Sequence, residues 1–453
     1  MPLSELPLPE DDASGDEAPD LRAPPPGPMS RAAVARLEHV ECPAFGRRRD
    51  ARAERAGADM LPIVLASGKG SNLVDVDGNR YIDLIAGFGA LLLGHAAKSI
   101  LRAIEGQSAR LVQALGDVYS ADVKIALLER LAALHAGQEP RVILTQSGSD
   151  AVTAAVKTAA LATGKPGLVA FEGAYHGLGY APLAACGLRE SYRAPFLEQL
   201  NPAVTFAPYP DPRAPGDVDR ALSAVERALR GGDVGAVLVE PILGRGGCVV
   251  PPTAFLMGLR ELTRAHGALL IADEIWTGLG RSGAMVRSRA VGVEPDVICF
   301  GKGLGGGLSI SACVASGEIM EAWARAEEVV HTSTHAGAPL ACAAAIATLD
   351  ALRFRGLVVR AEALGARFME ALRAELSACP EVVEVRGAGL MIGVELASGD
   401  VSLRATRGLL ARGYLALTGG CRAEVLTLTP ALTISEERLL EAAGALREAL
   451  TAP

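Results

Sequence analysis

The feature that most restricts the fold of this 453-residue chain is a series of short apolar segments separated by longer stretches of helical character. The segments contain four to six residues each and lie at 141–146, 168–171, 236–240, 268–273 and 297–300. Because they lack strict polar alternation, they are typical of strands that are covered on both faces. Alternation of such strands with helices predicts an α/β fold with a right-handed, mostly parallel sheet between helices. We expect this large domain to span residues 91–338.

The two ends of the chain differ from the middle in amino-acid composition and in their predicted secondary structure. Residues 1–28 contain eight prolines and seven acidic residues against one basic residue, so we predict a disordered tail that buries too little apolar surface to offset chain ordering. Residues 71–83 form two alternating runs around an Asp-Gly turn, which predicts a β-hairpin. Because chain ends often meet in space, we assign segment 29–90, with its hairpin, and segment 339–453 to one small α+β domain.

Charge and cysteine content narrow the possible partners. A total of 44 Lys and Arg against 52 Asp and Glu gives a net charge of −8, which argues against a general binder of nucleic acid or anionic membranes and favours small-molecule partners. The eight cysteines are scattered, without a CxxC pair or zinc-ligand spacing, so we expect free thiols and no metal. The chain lacks a signal-peptide pattern and any run of about 18 apolar residues, which predicts a cytoplasmic protein.

Two ionisable residues stand at the ends of predicted strands. Asp273 ends the apolar segment 268–273, and Lys302 follows segment 297–300 in a glycine-rich run. The carboxyl ends of parallel strands converge on one crevice of an open sheet, so these side chains are candidates for a shared ligand site. A turn-capping aspartate and a surface lysine are the alternative, and for either residue alone that alternative is preferred.

The residues that follow two further strands favour the ligand site over that alternative. Ser147, Gly148 and Ser149 follow the first strand and open a helix. The free N–H groups and positive end of this helix would suit a phosphate, with a simple N-cap as the alternative. Tyr175 and His176 come just after the next strand, where a flat ring could stack, although such a pair often serves packing alone.

In this order and spacing, four motifs together resemble the class III aminotransferases. They are Ser-Gly-Ser at 147–149, Tyr-His-Gly at 175–177, Asp-Glu-Ile at 273–275 and the glycine-rich run around Lys302. The resemblance covers roughly residues 60–450 and extends to the segments 75–83, 240–244, 277–283, 295–297 and 334–340. It implies a pyridoxal-phosphate-dependent transferase of fold type I, with a large cofactor domain and a small α+β domain.

The resemblance also implies two catalytic residues and a cofactor site. Lys302 would form the internal aldimine with pyridoxal 5′-phosphate and then move the proton between the substrate carbon and the cofactor. Asp273 would keep the pyridinium nitrogen protonated, so that the ring accepts electrons from the carbanion. The other cofactor-binding residues implied are Ser147, Gly148 and Ser149 for the phosphate, Tyr175 and Ile275 for the ring faces, and His176 and Glu240 beside the ring.

One matched residue bears on assembly. Thr334 matches the family's threonine that reaches the phosphate of the neighbouring subunit's cofactor. The resemblance therefore implies shared active sites in a homodimer with two-fold symmetry.

The residues expected to bind the substrate depart from the family pattern. Thr427 stands where relatives that act on α-amino acids carry a carboxylate-binding arginine, and Arg245 stands where many carry the glutamate that neutralises it. Leu178 replaces the arginine of 4-aminobutyrate aminotransferases, and Trp276 replaces a glutamine. We therefore expect a more apolar pocket that suits a bulky amine. Phe88 completes the set of expected substrate residues.

Arg245 is the most informative of these departures. One hypothesis is that it supplies the positive charge for a substrate carboxylate, such as that of the amino acceptor. The alternative, weighted about equally, is that it faces solvent or pairs with an acid such as Glu240.

The motifs thus predict an aminotransferase that moves an amino group from an amine or ω-amino acid to a keto acid or aldehyde by a ping-pong mechanism. A decarboxylase or aminomutase of the same fold is an alternative, because the fold and Lys302 do not decide which bond breaks. A catalytically inactive cofactor-binding protein is a second alternative, against which the presence of Asp273 and Lys302 argues.

Overall fold

The computed structural model of the protein describes residues 15–56, 60–325 and 328–451. Its contacts divide the chain into two compact units. The first contains the described residues of Met1–Ala97, Ala363–Arg386 and Leu390–Pro453, and the second contains Lys98–Glu362 and Gly387–Gly389. Across the described ranges, no helix is both long enough and apolar enough to cross a membrane.

The strands are numbered in chain order. They are β1 (Leu65–Lys69), β2 (Asn72–Asp75), β3 (Arg80–Asp83), β4 (Arg141–Thr145), β5 (Gly167–Phe171), β6 (Val204–Ala207), β7 (Val234–Val239), β8 (Leu269–Asp273), β9 (Val297–Phe300), β10 (Ser311–Ala315), β11 (Val382–Ala388), β12 (Met391–Leu396), β13 (Tyr414–Leu415), β14 (Leu417–Gly419) and β15 (Val425–Leu428).

The helices are numbered in the same way. They are α1 (Pro28–Glu38), α2 (Pro43–Ala56), α3 (Ala86–Gly89), α4 (Lys98–Ser108), α5 (Asp122–Ala132), α6 (Gly148–Thr163), α7 (Tyr180–Ala184), α8 (Glu190–Arg193), α9 (Asp217–Leu229), α10 (Thr253–His266), α11 (Arg287–Ala290), α12 (Gly317–Met320), α13 (Pro339–Phe354), α14 (Leu357–Glu375), α15 (Gly399–Leu410) and α16 (Glu436–Thr451). Short 3₁₀ helices span Ala194–Gln199, Lys302–Gly305 and Glu321–Arg325.

The second unit contains a seven-stranded sheet in the order β4-β10-β9-β8-β7-β5-β6. All strands run parallel except β10, which pairs antiparallel with both β4 and β9. Every residue of β5, β7, β9 and β10 is buried, as expected for strands covered on both faces. The mostly parallel α/β sheet predicted from the sequence is confirmed, whereas β6 and β10 were not anticipated.

Helices on opposite faces of this sheet bury its two sets of alternating side chains. On one face, α6 contributes a stripe of small buried side chains that lies against β8 and β9: Ala151, Ala154, Ala155 and Ala159. On the other face, α9 and α10 pack aromatic and branched residues such as Phe255 against Phe171 at a ring-centroid distance of 5.3 Å. Because alanine adds little bulk, α6 approaches the strands closely and its N-terminus is held beside the end of β4.

The first unit contains two four-stranded sheets, in the orders β1-β2-β3-β13 and β11-β12-β15-β14. The strands β2 and β3 form the predicted antiparallel hairpin. Strand β3 also pairs in parallel with β13, which comes from the C-terminal part of the chain. The N-terminal hairpin and the C-terminal segment therefore share one sheet.

The expected disorder of residues 1–28 is wrong for residues 15–28, while residues 1–14 lie outside the described residues. The side chain of buried Asn79 accepts the backbone N–H groups of Arg22 and Ala23 at 2.8 and 2.9 Å. The segment buries little apolar surface, but its backbone N–H groups form hydrogen bonds to buried side chains, and these bonds do not depend on apolar composition.

The expected domain boundary at Pro339 also differs from the division that the structure makes. Helix α13 belongs to the second unit, where it packs against α4 and α5 and where Asp350 forms an ion pair with Arg130. The long segment of this unit ends at Glu362, within α14. An alanine-rich helix packs equally well on either domain, so its composition does not assign it to one of them.

We predict that Asn79→Ala lowers the free energy of unfolding by about 1–3 kcal/mol, because it removes the amide's hydrogen bonds to buried Asp75 and Tyr81 and the oxygen that accepts the backbone N–H groups of residues 22 and 23. Urea unfolding measures the loss. As a control, Arg22→Ala removes only the exposed ion pair with Asp20 and should change stability by less than about 1 kcal/mol. Equal losses in the two variants would contradict the role assigned to Asn79.

Candidate active site

The loops that follow the parallel strands of the second unit surround a cavity of about 180 Å³. Its lining includes nine of the residues singled out from the sequence: Gly148, Ser149, Tyr175, His176, Glu240, Asp273, Ile275, Trp276 and Lys302. They come from five different strand ends. Parallel strand order therefore collects side chains that are far apart in the chain at one edge of the sheet.

Two hydrogen bonds hold the Asp273 side chain in the lining of the cavity. Its Oδ2 lies 2.7 Å from His176 Nδ1, and its Oδ1 accepts the backbone N–H of Ile275 at 3.1 Å. Both side chains of the pair are buried. Burial lowers the pKa of His176, but the hydrogen bond to Asp273 and its charge outweigh burial and raise this pKa overall. The two hydrogen bonds hold the Asp273 carboxylate in one orientation in the lining of the cavity.

Glu240 ties together two of the loops. Its carboxylate accepts the backbone N–H of Tyr175 at 2.8 Å and that of Gly244 at 2.9 Å. Burial raises the pKa of Glu240, and the charge of Asp273 adds to this effect while His176 opposes it. The residue therefore positions Tyr175 and the turn that leads to Arg245.

Lys302 lies in the left-handed backbone region, with a φ of 42°. Its Nζ is 4.2 Å from the centroid of the Trp276 ring. Burial lowers the pKa of Lys302 to about 8, although the negative charges of Asp273 and Glu240 act in the opposite direction. Near neutral pH both the ammonium and the free amine are therefore populated, as nucleophilic and proton-transfer chemistry requires.

The start of α6 has the form of an anion cradle. Ser147 caps the helix, and the Ser149 hydroxyl accepts the backbone N–H of Gly179 at 3.0 Å. A Cβ at Gly177, whose φ is 108°, would lie 2.6 Å from the Cβ of Ser149. A Cβ at Gly148 would lie 2.9 Å from Ile275. Only glycine permits these close approaches, which pack Ser149 and Ile275 tightly against the loops at the positive end of the helix.

Arg245 lies next to the cavity, with its guanidinium 5.2 Å from the centre of the Tyr175 ring. Its Nε is buried and has no hydrogen-bond partner in the part of the chain that the structure describes. The same described residues contain no ion pair between Arg245 and Glu240, which was one of the alternatives considered from the sequence.

Four of the other residues singled out lie elsewhere. Thr334 is exposed in a turn, where its carbonyl accepts a hydrogen bond from Gln113 at 2.7 Å. Leu178 is exposed beside the cradle. Phe88, exposed in α3, and Thr427, buried in β15, belong to the first unit.

Comparison with known proteins agrees with this geometry. The Aminotransferase class-III family profile matches residues 53–450. The chain is 36% identical over 381 residues to the acetylornithine aminotransferase of Methanothermobacter thermautotrophicus, covering 83% of this chain and 91% of that protein. The chain belongs to the class III aminotransferases.

Solved structures of similar proteins support the same assignment. The ornithine aminotransferase of Toxoplasma gondii superposes with a TM-score of 0.82 at 28% identity, covering 93% of this chain and 94% of that one. A PLP-bound amine transaminase from an uncultivated Pseudomonas species gives a TM-score of 0.79 at 30% identity, covering 86% and 94%. The expected fold type I architecture is confirmed.

As a class III aminotransferase, the protein uses pyridoxal 5′-phosphate, and its cavity fits that cofactor. The glycine-lined start of α6 suits the phosphate, and Lys302 offers an amine of lowered pKa. The buried Nε2 of His176 has no partner among the described residues. A buried polar atom without a hydrogen-bond partner is typical of a site in which a bound ligand supplies that partner.

Sequence reasoning did not assign a role to Glu274 or Gly244. Glu274 is fully buried beside Asp273 and binds the hydroxyl groups of Thr277 and Ser288 at 2.5 and 2.8 Å. Gly244 lies against the Trp276 ring, where a Cβ would come within 2.4 Å of Cε3. Two sequence features point to these residues. Glu274 follows Asp273 directly at a strand end, and Gly244 precedes the unusual Arg245.

Proposed function

We propose that this aminotransferase uses Lys302 and Asp273 as catalytic residues and moves an amino group from a terminal amine, as in an ω-amino acid, to a keto acid or aldehyde. The observation that carries the proposal is the single cavity in which the Lys302 amine and the Asp273–His176 pair lie beside the glycine-lined start of α6. Donor and acceptor would use this cavity in turn, as a ping-pong mechanism requires.

When bound, pyridoxal 5′-phosphate supplies an electron sink that stabilises negative charge on the substrate carbon. Lys302 acts as the proton carrier at its Nζ. With a pKa of about 8, Nζ accepts a proton as the free amine and returns it as the ammonium without leaving the cavity. Partial burial limits competition from water for that proton.

The remaining residues hold and orient the cofactor. Asp273 provides a fixed negative charge for the ring nitrogen, and the hydrogen bond from His176 keeps the carboxylate in place. Tyr175 and Ile275 line the cavity as faces for a flat ring. Ser147, Gly148 and Ser149 at the start of α6 would bind the phosphate through N–H and hydroxyl groups.

For the substrate, we propose that Arg245 binds a carboxylate. The arginine is partly buried, and its Nε, which has no partner in the described parts of the chain, is free to donate. Trp276 makes the cavity more apolar on the other side of Gly244, which suits an amine with an apolar chain. We place Phe88 and Thr427 among the substrate residues on their sequence positions alone.

A second candidate function is acetylornithine aminotransferase, the activity named for relatives at 36–39% identity. Acetylornithine also combines a primary amine with a carboxylate. Against it stands Thr427, which occupies the position of the family's carboxylate-binding arginine.

We predict that terminal amines will convert the cofactor of the purified enzyme to its aminated form, which half-reaction absorbance spectra detect over a panel of amines that includes acetylornithine. Borohydride treatment followed by peptide mapping should place the cofactor on Lys302. Lys302→Ala should lose both signals. Release of carbon dioxide, or product isomerisation without an acceptor, would instead indicate a different reaction of the same fold.

For Arg245→Ala, we predict that KM for carboxylate-bearing substrates rises roughly 10- to 100-fold, because a charge-assisted hydrogen bond is lost. KM for simple aldehydes and amines should change little. Arg245→Lys keeps the charge but not the planar donor group and should fall between the two. An unchanged KM for every acidic substrate would rule out this role of Arg245.

We also propose that the enzyme is a homodimer with shared active sites. The segment between α4 and α5 exposes a series of large apolar side chains in the second unit: Leu111, Val112, Leu115, Val118 and Tyr119. An exposed apolar patch of this kind is typical of a protein interface. Gln113, in the same segment, hydrogen-bonds Thr334, so the patch and the proposed phosphate-binding threonine are neighbours.

We predict that Thr334→Val speeds cofactor loss during dialysis several-fold, because the hydroxyl that would reach the partner subunit's phosphate is removed, while Thr334→Ser retains the cofactor. Val118→Asp should produce monomers by light scattering, together with weaker cofactor retention. Cofactor retention in Thr334→Val equal to that of the parent would contradict the shared site.

We further propose a cytoplasmic location. All eight cysteines are free thiols and six of them are buried, which suits a reducing compartment. Measuring the protein in cell fractions tests this location directly.

A further inference from the structure

The contact between Lys302 and Trp276 is not explained by the cofactor-binding role of Lys302 or by the substrate-pocket role of Trp276. Lys302 Nζ lies over the indole ring at 4.2 Å from its centroid, and Trp276 is only 7% exposed. The negative face of an indole attracts a cation, and the attraction strengthens when water is excluded. This position carries glutamine in the usual family motif, and an amide offers no such face.

Trp276 is fixed in place from two directions. The turn that carries it is anchored by the buried Glu274, which binds the Thr277 hydroxyl at 2.5 Å and the backbone N–H of Ser288 at 2.7 Å. Gly244 packs against the edge of the ring. A Cβ at position 244 would lie 2.4 Å from Cε3 of Trp276, so only glycine fits there. The indole face is therefore preorganised rather than free to swing.

Several charged groups act on the Lys302 amine. Asp273 and Glu240 favour its protonated form, whereas burial and the guanidinium of Arg245 oppose it. The indole ring also attracts the ammonium. Unlike the carboxylates, this ring is uncharged and does not titrate. The attraction therefore persists when the charge of either carboxylate changes.

We propose that Trp276 is a positioning residue whose ring face favours the ammonium form of Lys302 over the free amine and holds Nζ in one place whenever Nζ is not bonded to the cofactor. The inference rests on the proposed role of Lys302. It concerns the proton and position of Nζ and does not depend on which substrate the enzyme uses.

Competitive acylation of the full-length, cofactor-free chain across pH, read by peptide mass spectrometry, reports the titration midpoint of Lys302 without any turnover. In Trp276→Leu, we expect this midpoint to fall by about one pH unit, a roughly tenfold change in proton binding, because the cation loses the aromatic face. In Trp276→Phe the aromatic face remains, so the midpoint should stay close to that of the parent.

Two more variants separate this effect from a general structural change. Gly244→Ala keeps the tryptophan but displaces its ring and should lower the midpoint as Trp276→Leu does. Trp323→Phe removes the other tryptophan of the chain, which bonds Thr158, and should leave the midpoint unchanged. The exposed Lys98 provides an internal standard in every sample.

A second measurement uses Trp276 itself as the reporter. With Trp323→Phe, Trp276 is the one remaining tryptophan, and its fluorescence should follow the Lys302 titration and lose that dependence in Trp323→Phe/Lys302→Met. An unchanged midpoint in Trp276→Leu, or equal shifts in the leucine and phenylalanine variants, would overturn the proposal. Either result would leave the transamination reaction and its half-reaction test unaffected.

Discussion

The buried hydrogen bond between Asp273 and His176 joins the last residue of β8 to the loop after β5, 97 residues away in the chain. Both residues lie at the carboxyl-end side of parallel strands, so the bond depends on β5 and β8 running in the same direction in one sheet. A buried carboxylate requires such partners, because its desolvation is otherwise costly. Once held, Asp273 supplies the negative charge that opposes loss of the proton from Lys302. The chemistry of the cavity thus depends on the order of the sheet.

Much of this arrangement follows from local sequence patterns. Uninterrupted apolar runs predicted the buried parallel strands, and residues at the ends of those strands predicted the cavity, including Lys302, Asp273 and Tyr175. These inferences succeed because a strand direction and a strand end together determine where a side chain lies. The strand β10 escaped this reasoning because Ser311–Ala315 consists mainly of small residues, and its antiparallel direction follows from a connection rather than from a motif.

Other features depend on contacts that no local pattern encodes. Residues 15–28 are ordered by side chains of the hairpin, such as Asn79, which lies far along the chain. The placement of α13 reflects which helices it meets, since alanine is suited to many surfaces. Likewise, Arg245 and Trp276 were recognised as unusual from the sequence, but only the structure brings them close to Tyr175 and Lys302 respectively.

The left-handed backbone at Lys302 places two demands on a single residue. A side chain in this conformation costs of order 1–2 kcal/mol that glycine would avoid. Selection for folding stability alone would therefore favour glycine at position 302, while chemistry requires the amine. The native state is thus less stable than its own scaffold allows, and the strain lies in the backbone of the residue that carries the reactive amine.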